Sequence, residues 1–135
     1  MRTNLFFAFI FCLVVTSCKK SVDRPKSKTD YIPINSAVTS TNITLGQDIQ
    51  SRVNMGFYSY SADVTFLSFE VKETVARQYN IRAKGLFENI NYEVSLPVVM
   101  TFDTTFSIKP TTTGQYILRF YNSSKLVQSD TVQVN

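Results

Sequence analysis

The chain has 135 residues, which leaves room for one domain with one modest core. Hydrophobic residues make up 44% and charged residues 18%, a composition typical of folded rather than disordered proteins. The net charge of +4 arises in the N-terminal part, because 8 basic and 8 acidic side chains balance from Tyr31 onward. A neutral domain lacks the electrostatic footprint of a nucleic-acid binder, so we expect no nucleic-acid partner.

The first 17 residues have the pattern of a secretory signal peptide. Arg2 gives a positive start, and an unbroken apolar run of 11 residues follows, from Leu5 to Val15. A spanning helix needs about 20 apolar residues, so this run is too short to remain as a membrane anchor. We therefore predict a cleaved leader over residues 1–17.

The end of the leader carries a more specific signal. Val15-Thr16-Ser17-Cys18 resembles the lipobox of bacterial lipoproteins, in which the cysteine takes a diacylglycerol before cleavage on its N-terminal side. The resemblance implies that Cys18 is lipidated and anchors the mature chain to a membrane. Cys12 lies in the leader, so the mature chain would carry no other thiol. The alternatives are a plain thiol at Cys18 or a leader that belongs to the core of a cytosolic protein.

The residues after Cys18 bear on the location of the protein. Lys19 differs from the Asp that retains many lipoproteins in the inner membrane, which favours the outer membrane. No acidic cluster of the kind used for surface export follows, so we expect the periplasmic face, with the cell surface as the alternative. From Cys18 to Asp30 the chain is polar and basic, which predicts a flexible tether over residues 18–30 that is attracted to anionic headgroups.

The remainder, residues 31–135, is predicted to be all-β. Val, Ile, Thr, Tyr and Phe alternate with polar residues, and no segment has a convincing helical pattern. Early strands are predicted near residues 37–45, 48–53, 64–71 and 78–87. Alternation is clearest from Tyr92 to Phe102, where Pro97 interrupts it, and it continues around residues 105–109, 116–121 and 132–134.

This spacing gives about seven or eight strands, with turns at residues 110–114 and 122–124. An antiparallel sandwich of two sheets accounts for the pattern. An up-and-down barrel is the alternative, because alternation does not distinguish closure from sandwiching.

One stretch resembles a known fold family. Phe106-x-Ile108-x-Pro110 followed by Gly114-x-Tyr116-x-Leu118-x-Phe120 is similar to the end of an immunoglobulin-like domain, where a tyrosine opens strand F in the tyrosine corner. Antibody domains have a disulfide cysteine where this chain has Leu118. The resemblance therefore implies an immunoglobulin-like sandwich that is not of the antibody type.

The sequence offers little for catalysis. It has no histidine, which removes the usual general base and the His-based zinc sites, and its four glycines are isolated. Glu70 and Glu73 are the nearest carboxylate pair, but positions three apart on a strand face opposite sides. We expect no enzyme activity, no metal and no cofactor, with a carboxylate-based hydrolase as a minor alternative.

The candidate binding residues are Phe57, Tyr58 and Tyr60. They lie between two predicted strands in a segment whose Tyr and Ser content is typical of adaptable binding loops. The alternative is that Phe57 and one tyrosine cap the core. A second candidate patch is formed by outer-face residues of a later strand, namely Ile117, Arg119 and Tyr121.

The functional prediction combines the anchor, the tether and the fold. The sequence favours a membrane-anchored, non-catalytic binding or scaffolding module that presents loops or an edge strand to another envelope protein or a glycan. If the strands closed into a barrel, a carrier of a small apolar ligand would be the alternative.

Overall fold

The computed structural model describes residues 27–59, 61–90 and 98–135, and these residues form nine β-strands. The predicted leader, Cys18 and the tether up to residue 26 lie outside the described residues. The strands are β1 (Ser27–Ile32), β2 (Ile34–Thr39), β3 (Asn42–Ile43), β4 (Ile49–Ser59), β5 (Ser61–Val75), β6 (Gln78–Ile90), β7 (Val98–Ile108), β8 (Gly114–Asn122) and β9 (Lys125–Val134).

The strands form two sheets, which confirms the all-β fold class. Sheet A has six strands in the order β1-β6-β8-β9-β3, with β5 on the other edge of β6. Sheet B has three strands in the order β2-β4-β7. No backbone ladder joins the sheets in the parts of the chain that the structure describes, so the arrangement is a sandwich and not the alternative closed barrel.

Strand β6 organises sheet A. One edge of β6 pairs with β5, while its other edge pairs with β1 at residues 83–88 and with β8 at residues 78–81. The β6·β8 and β3·β9 pairs are parallel, so the sheets are mixed rather than wholly antiparallel. Side chains alternate in the same way in both kinds of ladder, which is why the sequence pattern did not distinguish them.

The chain passes between the sheets at Pro33. Ile32 ends β1 in sheet A and Ile34 begins β2 in sheet B, and both side chains are buried. Proline has no N–H and cannot continue a ladder, which suits it to this crossing. The Pro33 carbonyl accepts a hydrogen bond from Gly56 N at 3.2 Å.

The last four residues of the expected tether, residues 27–30, belong to β1. They pair with residues 85–88 of β6, and all four are exposed. Since no side chain among them is buried, they lack the alternation by which strands were predicted. The structured domain therefore begins before Tyr31.

The inner faces of both sheets build one core. Phe106 of β7 lies at its centre, with ring contacts to Phe69 at 5.4 Å and to Phe120 at 6.4 Å, both edge to face. The predicted alternation in β8 and β9 is confirmed, since these strands bury five of their side chains: Tyr116, Leu118, Phe120, Val132 and Val134.

Polar side chains fasten β2 to sheet A. The Gln128 amide donates to the carbonyl of Ala37 at 2.6 Å and accepts from the N–H of Ala37 at 2.9 Å, as a neighbouring strand would. Asn122 Oδ1 accepts from Ile34 N at 2.5 Å. Side chains from sheet A thus satisfy backbone groups along the outer edge of β2, which protects that edge from pairing with another chain.

A second polar group also lies between the sheets. The Thr39 hydroxyl is 2.7 Å from that of Ser51, which is fully buried, and donates to Asp130 Oδ2 at 2.5 Å. Gln128 donates to the other oxygen of Asp130 at 2.7 Å. Buried polar atoms are tolerated when they are paired in this way.

Tyr116 makes the hydrogen bonds of a tyrosine corner. Its hydroxyl donates to the Thr112 carbonyl at 3.0 Å and accepts from Thr112 N at 3.3 Å, while the ring is buried in the core. The bond returns to the backbone a few residues upstream, as expected for this feature. Membership of the immunoglobulin-like family remains a prediction.

Candidate functional site

Two of the three predicted binding residues lie in a strand rather than in a loop. Phe57 and Tyr58 lie in β4, where they pair with Met100 and Val99 of β7, and Tyr60 lies outside the described residues. The Phe57 ring packs against Phe87 at 5.5 Å. The alternative that Phe57 caps the core fits this position. Tyr58 is exposed on the outer face of sheet B beside Val99.

The outer face of sheet A holds a more highly organised group of side chains, which we call the Arg82 cluster. On β6 the odd-numbered residues from 81 to 87 are buried, so Arg82 and Lys84 point away from the core. Register places Glu70 of β5 opposite Arg82 and Tyr31 of β1 opposite Lys84. The cluster comprises Tyr31, Glu70, Arg82, Lys84 and Tyr121.

Arg82 is fixed by contacts on several sides. Its guanidinium carbon is 5.7 Å from the centre of the Tyr31 ring and 5.5 Å from that of Tyr121, within the range of cation–π attraction. Its Nε donates to the carbonyl of Ser123 at 2.6 Å. The charged group is therefore held in one orientation at a partly exposed surface.

Glu70 is the anionic centre of the cluster. It forms ion pairs with Lys84 at 2.5 Å and Arg82 at 3.4 Å, and it accepts a hydrogen bond from the Tyr31 hydroxyl at 3.2 Å. The hydrogen bond from Lys84 is the main cause that lowers the pKa of Glu70, against a smaller rise from burial. The same contact raises the pKa of Lys84.

A row of polar residues crosses the same face next to the cluster. Lys72 of β5 is opposite Asn80 of β6, which is opposite Arg119 of β8. Asn80 Oδ1 is buried and accepts no hydrogen bond from the residues that the structure describes. Within the same described ranges, neither Lys72 nor Arg119 forms an ion pair.

This part of the outer face of sheet A is electropositive. The cluster and the row together contain four cations against the single carboxylate of Glu70: Lys72, Arg82, Lys84 and Arg119. The structure also places Ile117, Arg119 and Tyr121, the second predicted patch, on this outer face, where all three are partly exposed. The face thus combines positive charge with aromatic surface.

The two carboxylates considered for hydrolysis are held apart. Glu70 faces the outer side of sheet A, whereas Glu73 accepts a hydrogen bond from Arg77 N at 2.9 Å in the β5–β6 turn and lies opposite Tyr79. This is the opposite-face arrangement expected from their spacing. No group of three Asp, Glu, Cys or His side chains within the described ranges is placed to hold a metal ion.

Sequence reasoning missed the Arg82 cluster because a β-bulge decides its register. Counting back from the pair Val75–Gln78 would place Glu70 opposite Ala83, but a shift between Glu73 and Val75 moves it opposite Arg82. The sequence shows two cations at alternate positions of β6, Arg82 and Lys84, but it does not show that Glu70 is their partner.

The described part of the chain has no helix of the length and apolarity needed to cross a bilayer. Comparison of the chain with protein-family models, with curated proteins and with solved structures gives no match.

Proposed function

We propose that the protein is a lipid-anchored, non-catalytic binding module of the bacterial cell envelope, and that it binds an acidic partner through the outer face of sheet A. The observation that carries the proposal is the excess of cations in the part of that face formed by the Arg82 cluster and the adjacent row, where Lys72 and Arg119 flank the fixed cluster. Two further carboxylates, Asp63 and Glu88, lie farther along the same face. The partner class is an envelope protein or glycan that bears carboxylate or phosphate groups.

Order within the cluster supports this choice of surface. A side chain that is already fixed loses less conformational freedom on binding, so more of the contact energy is available as affinity. Tyrosine and arginine are also the residues that contribute most often to binding hot spots. Arg82 held against Tyr31 and Tyr121 combines both properties.

The charge of the rest of the domain supports a localised site. From Tyr31 onward the domain is formally neutral, so the positive face is a local feature rather than a general property of the protein. Local charge of this kind favours complementary partners and repels cationic ones.

The anchor is the part of the proposal that comes from the sequence. Lipidation of Cys18 would hold the protein to a membrane, with the periplasmic face of the outer membrane favoured and the cell surface as the alternative. Between Cys18 and Ser27 the chain spans at most about 30 Å when fully extended. The module would therefore bind partners close to the membrane surface.

The anchor is tested with Cys18→Ser in the native host. We expect loss of the acyl mass and accumulation of chain that keeps residues 1–17, because lipidation precedes cleavage. Unchanged mass and unchanged membrane fractionation would contradict lipidation.

The binding face is tested by crosslinking and pull-down from native membranes with paired double variants. Lys72→Ala with Arg119→Ala removes two cations from the outer face of sheet A, and the matched control, Arg52→Ala with Lys109→Ala, removes two exposed cations from elsewhere. We expect the first pair to lose the captured partner and the second to retain it. Equal capture by both would contradict the assigned face.

The carrier alternative has less support. It was tied to a closed barrel, and the described strands pair in two separate sheets whose inner faces fill a common core. We therefore keep the interaction module as the single proposed function.

A further inference from the structure

Strand β5 has an open edge. It spans 15 residues, Ser61–Val75, contains neither proline nor glycine, and pairs only with β6 among the described residues. An edge with which no described strand pairs presents N–H and C=O groups to which another strand can bond. The edge of β2 differs, since Gln128 and Asn122 occupy it.

The exposed aliphatic side chains of β5 are regularly spaced. Leu67 is 49% exposed, Val71 is 43% exposed and Val75 is 60% exposed. Val71 lies midway between the other two. An antiparallel pair of identical strands centred on Val71 would place Val71 against itself. Leu67 and Val75 lie at the bulges of β5, outside the segment that can pair regularly.

The charges around Val71 complement each other in the same register. Glu70 and Lys72 flank Val71, and in the antiparallel pair Glu70 of each copy would face Lys72 of the other. Opposite charges that face each other across strands stabilise a ladder, and like charges destabilise it. Lys72 has no ion-pair partner within the described part of a single copy, so its ammonium group can pair with Glu70 of the other copy.

We infer that the protein forms a two-fold dimer in which β5 pairs antiparallel with β5 of a second copy, centred on Val71. The inference does not depend on which partner the outer face binds, but it uses Lys72 and Glu70, which also belong to that face. Pairing runs edge to edge in the plane of sheet A, so it leaves the outer face uncovered and sets two positive faces side by side.

The β-bulges of β5 limit the contact. Register with β6 shifts between Phe66 and Ser68 and again between Glu73 and Val75, which leaves a regular segment from Ser68 to Glu73. Bulges twist an edge and stop a ladder from extending. Because a two-fold contact uses the same edge on both copies, the assembly closes at two chains.

Cysteine crosslinking tests the register. The background is the full chain with Cys12→Ser and Cys18→Ser, purified in detergent, so that an introduced cysteine is the only thiol. Paired residues in antiparallel strands have α carbons about 4.5–5.5 Å apart, within the reach of a disulfide. We expect Val71→Cys to form a disulfide-linked dimer under mild oxidation.

Two matched controls are Val38→Cys on β2 and Val99→Cys on β7, whose native side chains are 72% and 61% exposed. We expect both to remain monomeric on non-reducing gels. Crosslinking that is equal at all three sites, or absent at Val71, would overturn the inference.

A charge variant provides a second test by sedimentation velocity. Lys72→Glu places a carboxylate against Glu70 of the other copy, and we expect the dimer Kd to rise at least about tenfold, which corresponds to roughly 1.4 kcal/mol. Lys109→Glu makes the same change in net charge away from β5 and should leave the Kd unaltered. Equal effects of the two variants, or a chain that is monomeric at every concentration, would contradict β5 pairing.

Discussion

The guanidinium of Arg77 occupies the position that a β carbon on residue 114 would take. Arg77 Nη1 donates to the Thr113 carbonyl at 2.8 Å, and the Arg77 carbonyl accepts from Ile117 N at 2.9 Å. Both Arg77 and Gly114 have positive φ, 66° and 120° respectively. The β5–β6 turn is thereby joined to the turn that precedes β8.

Gly114→Ala is expected to lower the free energy of unfolding by about 1–3 kcal/mol, because a β carbon is strained at this φ. Displacement of the Arg77 guanidinium should add little to this loss of stability, because the atom that the β carbon would meet is the end of a flexible side chain. Gly46→Ala is the matched control, with φ of 102° and no atom within 4 Å of the added β carbon.

In urea denaturation, the two variants should lose amounts of unfolding free energy that agree within about 1 kcal/mol. This margin is the size of one exposed polar contact, such as the one that Arg77 makes. If the loss in Gly114→Ala disappears in an Arg77→Ala background, crowding rather than backbone strain is the cause.

Tyr116→Phe removes the hydroxyl that bonds Thr112 and leaves the buried ring in place. We expect a loss of about 1 kcal/mol in unfolding free energy, the net value of a typical hydrogen bond. Tyr58→Phe serves as the control, because Tyr58 is exposed, and should change stability by less than about 0.5 kcal/mol. Thermal and urea unfolding both measure the difference, and equal effects of the two variants would show that the Tyr116 hydroxyl is not structural.

Gln128→Leu should be more damaging than its position near the end of the chain indicates. The change removes the hydrogen bonds that Gln128 makes with the backbone N–H and carbonyl of Ala37 and with one oxygen of Asp130. We expect the free energy of unfolding to fall by about 2–3 kcal/mol. Hydrogen exchange at Ala37 should accelerate. Gln133→Leu, an exposed position on the same strand, is the control, and fast exchange at Ala37 in that variant as well would contradict the assigned role.

The stability contribution of Glu70 is expected to depend on pH. Its pKa in the folded protein is lowered below 4.5, so the contribution is present above pH 4.5 and is lost as the pH falls through the lowered value. Glu70→Gln should therefore be less stable than the parent at pH 7, by about 1 kcal/mol or less because the group is partly exposed.

The difference between the parent and Glu70→Gln should shrink as unfolding is measured at pH 4 and below. A difference that stays constant from pH 7 to pH 3 would show that the ion pairs of Glu70 do not contribute. Lys84→Met offers a second check, since removal of the main cause should return the pKa of Glu70 towards its usual value.

The parts of the fold that the sequence predicted are those in which one face of a strand is buried. In β8 the side chains of Tyr116, Leu118 and Phe120 are buried, and in β9 those of Val132 and Val134, so alternation alone located these stretches. Gln128 and Asp130 of β9 also point towards sheet B, but they are polar and gave no such signal. In β1 the first four residues are exposed, and in β4 the alternation through Phe57 and Tyr58 was attributed to a loop. Periodicity predicts a strand only where burial makes its two faces differ.

The candidate site was harder to predict because it depends on pairing between distant residues. Tyr31, Glu70 and Arg82 meet through two ladders whose registers the sequence does not state. The hydrogen bonds between Gln128 and Ala37 join residues that are 91 positions apart. Here a side-chain amide, rather than a neighbouring strand, bonds the backbone of β2. The outer-face position of Ile117, Arg119 and Tyr121 could be predicted because it requires only local alternation.

The division of one edge of β6 between β1 and β8 has a consequence for the order of folding. The first and the eighth strands must both be present before that edge is complete, so sheet A cannot be finished while the chain is still emerging. Contacts between such distant segments fold slowly, since the intervening chain must be ordered before they form. Release of the last strands from the ribosome therefore sets the earliest moment at which the domain can acquire its final shape.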